Sequence, residues 1–365
     1  MLKFKKTYKI IGLCLSMCLA MNGLFVGATA QVSEQTYDIT ALSNIDNIIS
    51  GGSINVNGQE NELYMQFSSQ SSAIEDIKNE VPSILQSIAT VYDLSPLNES
   101  NWNDYRDSML ALLDSDEKPS NYSESNEDLI KLRSFFDIYE NADKNDEILE
   151  YVDTVTRTRS AIDTDKLALM LPCDTPIVQD FMSESYFPMS RAPIFVDDAV
   201  EYATAHATNR NTDDYDSFLS GDCANFVSQI LENAGVNQVV YDSEYSGWWH
   251  KKTTTLWLFT THKHSRSWTV ADTFTRYMGV KYSTTSHYNF SANLSKGSII
   301  ALDETNDGDW DHMGFVTDRK TSVGNVGYYN YKVAQHTSDY HEWANTSKCG
   351  WDAQPSGCKY ARVRA

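Results

Sequence analysis

Three side chains that could share one chemistry stand far apart in the 365-residue chain: Cys223, His312 and His336. Cys223 opens a predicted helix, because the apolar residues after it recur at helical spacing until Gly235: Phe226, Val227, Ile230, Leu231 and Ala234. The positive end of a helix dipole favours a thiolate over a thiol at such a position. A thiolate attacks a carbonyl carbon when a base lies within hydrogen-bond reach and a third group orients that base. The pattern therefore predicts a nucleophilic cysteine at residue 223.

The base is predicted to be His312. It opens the apolar run 313–317, which is predicted to be a strand beside the strand predicted at 299–302. A histidine at the start of a strand in the core sheet can face a helix N-terminus. His312 is thus expected to act as the base and later as the general acid.

His336 is the predicted orienter of His312. It lies in the predicted strand 332–337, where period-two alternation puts it on one face with Ala334. Gln335 and Asp339 are alternatives for the same role.

These residues carry a resemblance to a known family. The run from Asp222 to Gln229, DCANFVSQ, resembles the nucleophile motif of the putative amidase-domain family, which is related to NlpC-type and CHAP cysteine peptidases. Asp311 and His312 before an apolar strand fit that family's base motif, and the run 336–340 resembles its third catalytic position. The resemblance extends from about residue 191 to 340. It implies an α+β, papain-like catalytic domain, in which the helix with the nucleophile packs on an antiparallel sheet, and it implies no cofactor.

Further site residues are expected around this trio. Core packing is the default for the aromatic residues of 241–268. Trp248 and Trp249 are the best candidates for a substrate-binding rim instead, because adjacent residues in a loop cannot easily both be buried. The other candidates for substrate binding are Asp222, Asn225 and Trp310, with Asn225 or Tyr215 as the second oxyanion donor beside the Cys223 backbone N–H.

The acidic loop 303–311 precedes His312. It resembles a calcium loop only superficially, because Thr305 stands where an acid or Asn is wanted and no Glu stands at the twelfth position, so no metal site is predicted. Its carboxylates instead favour a substrate that carries an amine, such as a diamino-acid stem peptide.

Charge is unevenly distributed. Residues 31–190 carry 30 acidic residues against 9 Lys and Arg, whereas 191–365 carry 20 against 16. The formal net charge of −21 argues against nucleic acid and anionic lipid as partners, since both are polyanions.

Residues 1–30 have the pattern of a secretory signal peptide. Lysines are followed by an apolar run from Ile10 to about Val26 and by Ala28-Thr29-Ala30, a small-residue cleavage site before Gln31. We therefore expect a secreted or wall-associated protein without stable membrane association after cleavage. In that environment Cys349 and Cys358 are expected to form a disulfide, which leaves Cys173 free.

Two domains are predicted after the signal. Residues 31–190 are expected to form an acidic, mainly helical domain, which could be a propeptide, a docking domain or a spacer. Its apolar stripes begin near residues 74, 102, 129 and 149, with Pro82 either kinking a helix or starting one, and prolines are expected to exclude helices from the linker 172–193. Residues 191–365 are the expected catalytic domain.

The sequence thus predicts a secreted cysteine amidohydrolase whose substrate is a cell-wall peptide. Two alternatives stay open: an extracellular cysteine peptidase acting on proteins, and a wall-binding module whose cysteine site has decayed.

Overall fold

A computed structural model describes residues 42, 47–113, 127–183, 193–218, 221–255, 259–352, 354 and 357–364. The predicted signal peptide lies outside these residues, as does most of the segment around the predicted domain boundary near 190. None of the helices in this described part is long and apolar enough to cross a bilayer.

The N-terminal region combines two small antiparallel strand pairs with helices. Strand β1 (Ile48–Ile49) pairs with β4 (Gln66–Phe67), and β2 (Ser53–Val56) forms a hairpin with β3 (Gln59–Glu62). The hairpin turns at Asn57 and Gly58, which both have positive φ, as a tight two-residue turn requires. The helices are α1 (Gln70–Glu80), α2 (Pro82–Tyr92), α3 (Trp102–Leu113), α4 (Glu127–Thr158), α5 (Thr164–Ala168) and α6 (Pro176–Ser183).

Three details correct or complete the predictions for this region. Pro82 is the first residue of α2, where its missing N–H costs no helical hydrogen bond. The stripes that begin at 129 and 149 belong to the single helix α4 rather than to two helices. The expectation of no helix in 172–193 is wrong, because Pro176 starts α6 in the same permitted position.

The second region contains one six-stranded sheet and further helices. The helices are α7 (Val196–His206), α8 (Cys223–Asn233), α9 (Arg266–Thr269), α10 (Ala271–Met278) and α11 (His287–Ala292), and a short 3₁₀ helix spans Gly350–Asp352. Strands β5 (His250–Thr255) and β6 (Phe259–His264) form a separate hairpin. The sheet has the order β11 (Tyr340–Trp343), β10 (Tyr331–Gln335), β9 (His312–Arg319), β8 (Ile299–Asp303), β12 (Lys359–Val363) and β7 (Val280–Thr284), with antiparallel neighbours throughout.

The two faces of this sheet bury different cores. On one face, α7, α8 and α10 cover Ile299, Met313, Phe315 and Ala334. On the other face, α11 and the 3₁₀ helix cover a second cluster that includes Ile300, Leu302, Val316, Val333 and Trp351. Successive strand residues alternate between the faces, so register decides which core each side chain joins. The result is a mixed α and β structure in which the helix that begins at Cys223 packs on an antiparallel sheet.

The N-terminal region packs against the second region through buried polar contacts. Arg133 on α4 pairs with Glu304, and Lys144 on the same helix pairs with Asp309. Arg276 on α10 donates to the carbonyl oxygens of Ala168, at 3.4 Å, and Leu171. Helix α4 therefore lies against the loop that leads into β9.

Candidate active site

Helix α8 begins at Cys223, as the sequence predicts. Gly221 adopts a φ of +70°, a left-handed conformation that favours glycine, and Asp222 occupies the N-cap position. The helix is buried from Cys223 through Leu231, and the side chains of Phe226, Ile230 and Leu231 are fully inaccessible. Burial of each such side chain stabilises the fold by about 1.5 to 3 kcal/mol. The position of the thiol is thus fixed by the core on which its helix packs.

Asp222 does not cap this helix with its side chain, contrary to the usual behaviour of Asp at an N-cap. Its Oδ1 accepts hydrogen bonds from the backbone N–H of Phe218 at 3.0 Å and from Asn225 Nδ2 at 2.8 Å. Its Oδ2 lies 2.6 Å from His336 Nδ1 and 3.5 Å from an Arg210 nitrogen. The carboxylate is therefore directed away from the first turn of α8.

His336 is buried beside Asp222. Its Nε2 lies 2.9 Å from the carbonyl oxygen of His206, and its ring stacks on Phe226 of α8 with centroids 3.8 Å apart. It thus lies on the sheet face that α8 covers, together with Ala334, as the predicted alternation requires.

His312 points to the other face of the sheet. It is the first residue of β9 and pairs with Leu302, which belongs to the second core. Its ring centroid lies 5.7 Å from that of Trp351 in the same core. The structure therefore does not bring His336 and His312 to the same side of the sheet.

Gln335, named above as an alternative orienter, shares the side on which His312 lies. It follows Val333 by two residues, and its Oε1 accepts hydrogen bonds from Trp351 Nε1 and Tyr340 Oη, both at 2.7 Å. Because indole N–H can only donate, Trp351 fixes the orientation of the Gln335 amide. Gln335 and His312 thus both contact Trp351.

Cys223 and His312 line one cavity of about 530 Å³. Trp310 and Thr337 also line it. Cys223 is 4% and His312 8% exposed, so only a small part of each residue is accessible from the cavity. Of the predicted trio, the structure brings these two together.

The N-terminal region builds part of the wall of this cavity. The wall residues lie on α3, on α4, between β3 and β4, and directly after α5: Tyr64, Trp102, Asn103, Arg106, Asp107, Glu140, Asp143, Lys144, Glu147, Leu169 and Met170. No local pattern in the sequence marks them, because they reach the cavity only through packing of the two regions.

Burial and neighbouring charges shift the pKa values of two carboxyl groups beside the cavity in opposite directions. Burial raises the pKa of Asp311 well above its usual range, and the neighbouring Glu304, Asp303 and Asp307 raise it further. Although burial opposes its ionisation, Asp309 has its pKa lowered to about 2 by Lys144 and Arg276. Asp311, the residue next to His312, therefore ionises less readily than an exposed Asp, whereas Asp309 ionises more readily.

Four predicted substrate-binding residues do not line the cavity: Asp222, Asn225, Trp248 and Trp249. Trp248 and Trp249 are 0% and 6% exposed, so the expectation that they cannot both be buried is wrong. Trp248 Nε1 donates to Ser228 at 2.9 Å, and Trp249 Nε1 donates to the carbonyl oxygen of Ser246, also at 2.9 Å. Both indoles thus satisfy their donors inside the protein.

Asn225 is likewise committed to internal contacts. Its Nδ2 donates to the Asp216 carbonyl at 2.9 Å and to Asp222, and its Oδ1 accepts from Trp268 Nε1 at 2.9 Å. It does not line the cavity, and neither does Tyr215, whose hydroxyl donates to Glu232 at 2.8 Å.

In the described part of the chain, Cys173, Cys349 and Cys358 form no disulfide. Cys349 and Cys358 are buried in the second core, so the expected disulfide is wrong for this structure. They pack there as small apolar side chains, and burial raises the pKa of Cys358 to about 11. Cys173 is also free, and burial raises its pKa to about 12.

Within the part of the chain that the structure describes, no group of three or more His, Cys, Asp or Glu side chains could hold a metal ion. The buried carboxylates of the loop 303–311 instead receive backbone N–H groups: Asp303 accepts from Asp307 at 3.1 Å and from Gly308 at 2.9 Å, and Asp311 accepts from Glu304 at 2.7 Å.

Comparison with known proteins gives one match. A family profile described as a putative amidase domain matches residues 196–360. This stretch includes α8, β9 and β10 and ends in β12, whereas the N-terminal region lies outside it. No curated protein and no solved structure matches the chain.

Proposed function

Because residues 196–360 match the profile of a putative amidase domain, we propose that this protein is a secreted, cysteine-dependent amidohydrolase that cleaves amide bonds in cell-wall peptides. The observation that carries the cysteine mechanism is that Cys223, at the start of α8, and His312, at the start of β9, line the same cavity.

The proposed reaction follows from these two groups. His312 takes the proton of Cys223, and the sulfur attacks the amide carbonyl carbon to form a tetrahedral intermediate. The intermediate collapses to an acyl-thioester as His312 gives the proton to the leaving amine. Water, deprotonated by His312, then attacks the thioester, releases the carboxylic acid and restores the thiol. The backbone N–H of Cys223 is the proposed donor to the oxyanion.

For the group that orients His312, the contacts favour Gln335 over His336. Gln335 lies on the His312 side of the sheet and is held there by Trp351 and Tyr340. The ring nitrogens of His336 contact Asp222 and His206 instead. We therefore assign to Gln335 the orienting role that His336 was expected to have.

The proposed substrate carries an amine. Carboxylates outnumber Lys and Arg along the cavity, and each lining base has an acidic partner: Arg106 pairs with Glu140, Lys144 with Glu140 and Asp309, and Arg266 with Glu147. A cavity of about 530 Å³ is large enough for a short peptide segment. A diamino-acid stem peptide combines the required amide bonds with a free amine.

The test compares the full-length secreted protein with its Cys223→Ala variant on a peptidoglycan digest. Mass spectrometry should find new termini with the wild type and none with the variant. Cys173→Ala is the matched control, because Cys173 has a raised pKa and does not line the cavity. Cleavage of casein but not of wall peptides would instead favour the peptidase alternative, and no cleavage of either would refute the proposal.

The amine preference has its own comparison. Hydrolysis should be faster for the stem peptide than for the same peptide with its side-chain amine acetylated. Equal rates would remove the amine from the proposal without affecting the cysteine mechanism.

A further inference from the structure

The carboxylate of Asp222 stands at the N-cap of the nucleophile helix but makes no capping hydrogen bond. An Asp at this position ordinarily accepts from a backbone N–H in the first turn of the helix. The first intrahelical backbone bond is donated by Phe226 to the Asp222 carbonyl oxygen, at 2.9 Å. The N–H groups of residues 223–225 come before this first bond, and the Asp222 side chain accepts no hydrogen bond from them.

The carboxylate is held away on both oxygens: the Phe218 N–H and Asn225 Nδ2 contact Oδ1, and the buried ring of His336 contacts Oδ2. His336 is 1% exposed, as is Asp222, and the two side chains meet at 2.6 Å. The ring is fixed on its other edge by the His206 carbonyl oxygen and on its face by Phe226. Both ring nitrogens therefore meet an acceptor within a rigid pocket of the core.

The other charged groups around this pair are Arg210 and Asp339. Arg210 lies 3.5 Å from Asp222 but makes two shorter contacts, both of 2.7 Å, with Asp339. It is therefore oriented mainly by Asp339, and His336 makes the closest contact with the Asp222 carboxylate.

We propose that His336 is a positioning residue that acts through Asp222: it keeps this carboxylate off the first turn of α8, so that the helix N–H groups serve the Cys223 thiolate and the oxyanion. The inference rests on the proposed cysteine mechanism. Without His336, Oδ2 would lose its closest contact and turn toward the first turn of α8. A negative charge would then occupy the donors that the thiolate and the oxyanion need.

Two variants of His336 separate its two contacts. His336→Asn places an amide near the position of Nδ1 and retains a donor toward Asp222, whereas His336→Gln reaches the position of Nε2 and retains only the donor toward His206. Both replace a buried ring by a smaller amide, so their losses of stability should be similar. Only the contact with Asp222 distinguishes them in the proposed role.

The readout is the pH profile of Cys223 alkylation by iodoacetamide, measured by peptide mass spectrometry on folded protein. His336→Gln should move the profile about one unit toward higher pH, which is roughly a tenfold slower labelling at neutral pH, and should lower kcat with little change in KM. His336→Asn should stay close to the wild type in both. Equal profiles for the two variants would overturn the proposal.

A double variant tests the cause. If the displaced carboxylate is responsible, Asp222→Ala in the His336→Gln background should return the alkylation profile toward that of the wild type, although stability falls further. A purely structural role of His336 predicts no such rescue, and its absence refutes the inference. His287→Leu, which removes another partly buried histidine that bonds Tyr331 at 2.8 Å, is the control for general destabilisation and should leave the profile unchanged.

The alkylation readout is independent of substrate. If no wall peptide is cleaved by the wild type, the proposed function fails, yet the shift and its rescue still decide whether His336 acts through Asp222.

Discussion

Replacing Asp137 by Asn should make the protein more stable at neutral and alkaline pH. Asp137 on α4 accepts a hydrogen bond from Thr305 at 3.1 Å and lies beside Asp307 in the contact between the N-terminal region and the loop before His312. Burial raises its pKa well above the usual range, and the charges of Asp307 and Asp311 raise it further. Burial, and then the charge of Asp309, raise the pKa of Asp307 to about 6.

The sign follows from these shifts. A carboxyl group whose pKa is higher in the folded than in the unfolded state contributes stability below its unfolded pKa and loses it as the pH rises through the folded pKa. Between the unfolded and the folded pKa of Asp137, this residue should therefore lower the unfolding free energy of the wild type by up to about 1.4 kcal/mol per pH unit. Asn does not titrate, accepts from Thr305 with its oxygen and donates to Asp307 with its nitrogen.

The assay is denaturation by urea at several pH values between 4 and 9 for both proteins. The variant should match the wild type most closely at pH 4, and its advantage should grow as the pH rises. Asp146→Asn is the matched control, because it makes the same substitution at an exposed position of the same helix. A constant difference between wild type and Asp137→Asn across this range would refute the reasoning.

Three further predictions follow from single contacts. Gln335→Leu should lower kcat roughly 100-fold, since His312 loses its proposed orienter. An unchanged kcat in a folded variant would show that Gln335 does not orient His312. Trp248→Ala should lower the unfolding free energy by about 3 to 5 kcal/mol, because Trp248 is a buried core residue. The folded variant should keep its kcat, because Trp248 does not line the cavity. A lower kcat without a loss of stability would contradict this prediction. Because Cys349 and Cys358 are thiols, dithiothreitol should leave the melting temperature unchanged, and a marked decrease would reveal a disulfide.

The sequence predicted the elements whose signals are local. Periodic apolar residues located α8 and placed Cys223 at its first position, and an apolar run located β9 and placed His312 at its start. Both signals depend on the side chains that face the core, and these repeat at the period of the element itself. The family resemblance from about residue 191 agrees with the profile match at 196–360.

Errors arose where packing between distant segments decides. Trp248 and Trp249 are both buried because Ser228, from α8, and the Ser246 carbonyl accept their indole N–H groups, and no loop rule shows that such partners exist. The contacts of Asp222 could not be predicted either, since a carboxylate that caps a helix and one held by His336 look the same in sequence.

By itself, the sequence determined which residue types stand at the start of the nucleophile helix and of the strand with the candidate base, because secondary structure follows from neighbours along the chain. Only the tertiary structure decided that His312 and His336 face opposite sides of the sheet and that the N-terminal helices wall the cavity. Strand register and the packing of α4 on the loop before β9 set these relations. Both depend on contacts between residues that are far apart in the chain, and no short run of residues contains them.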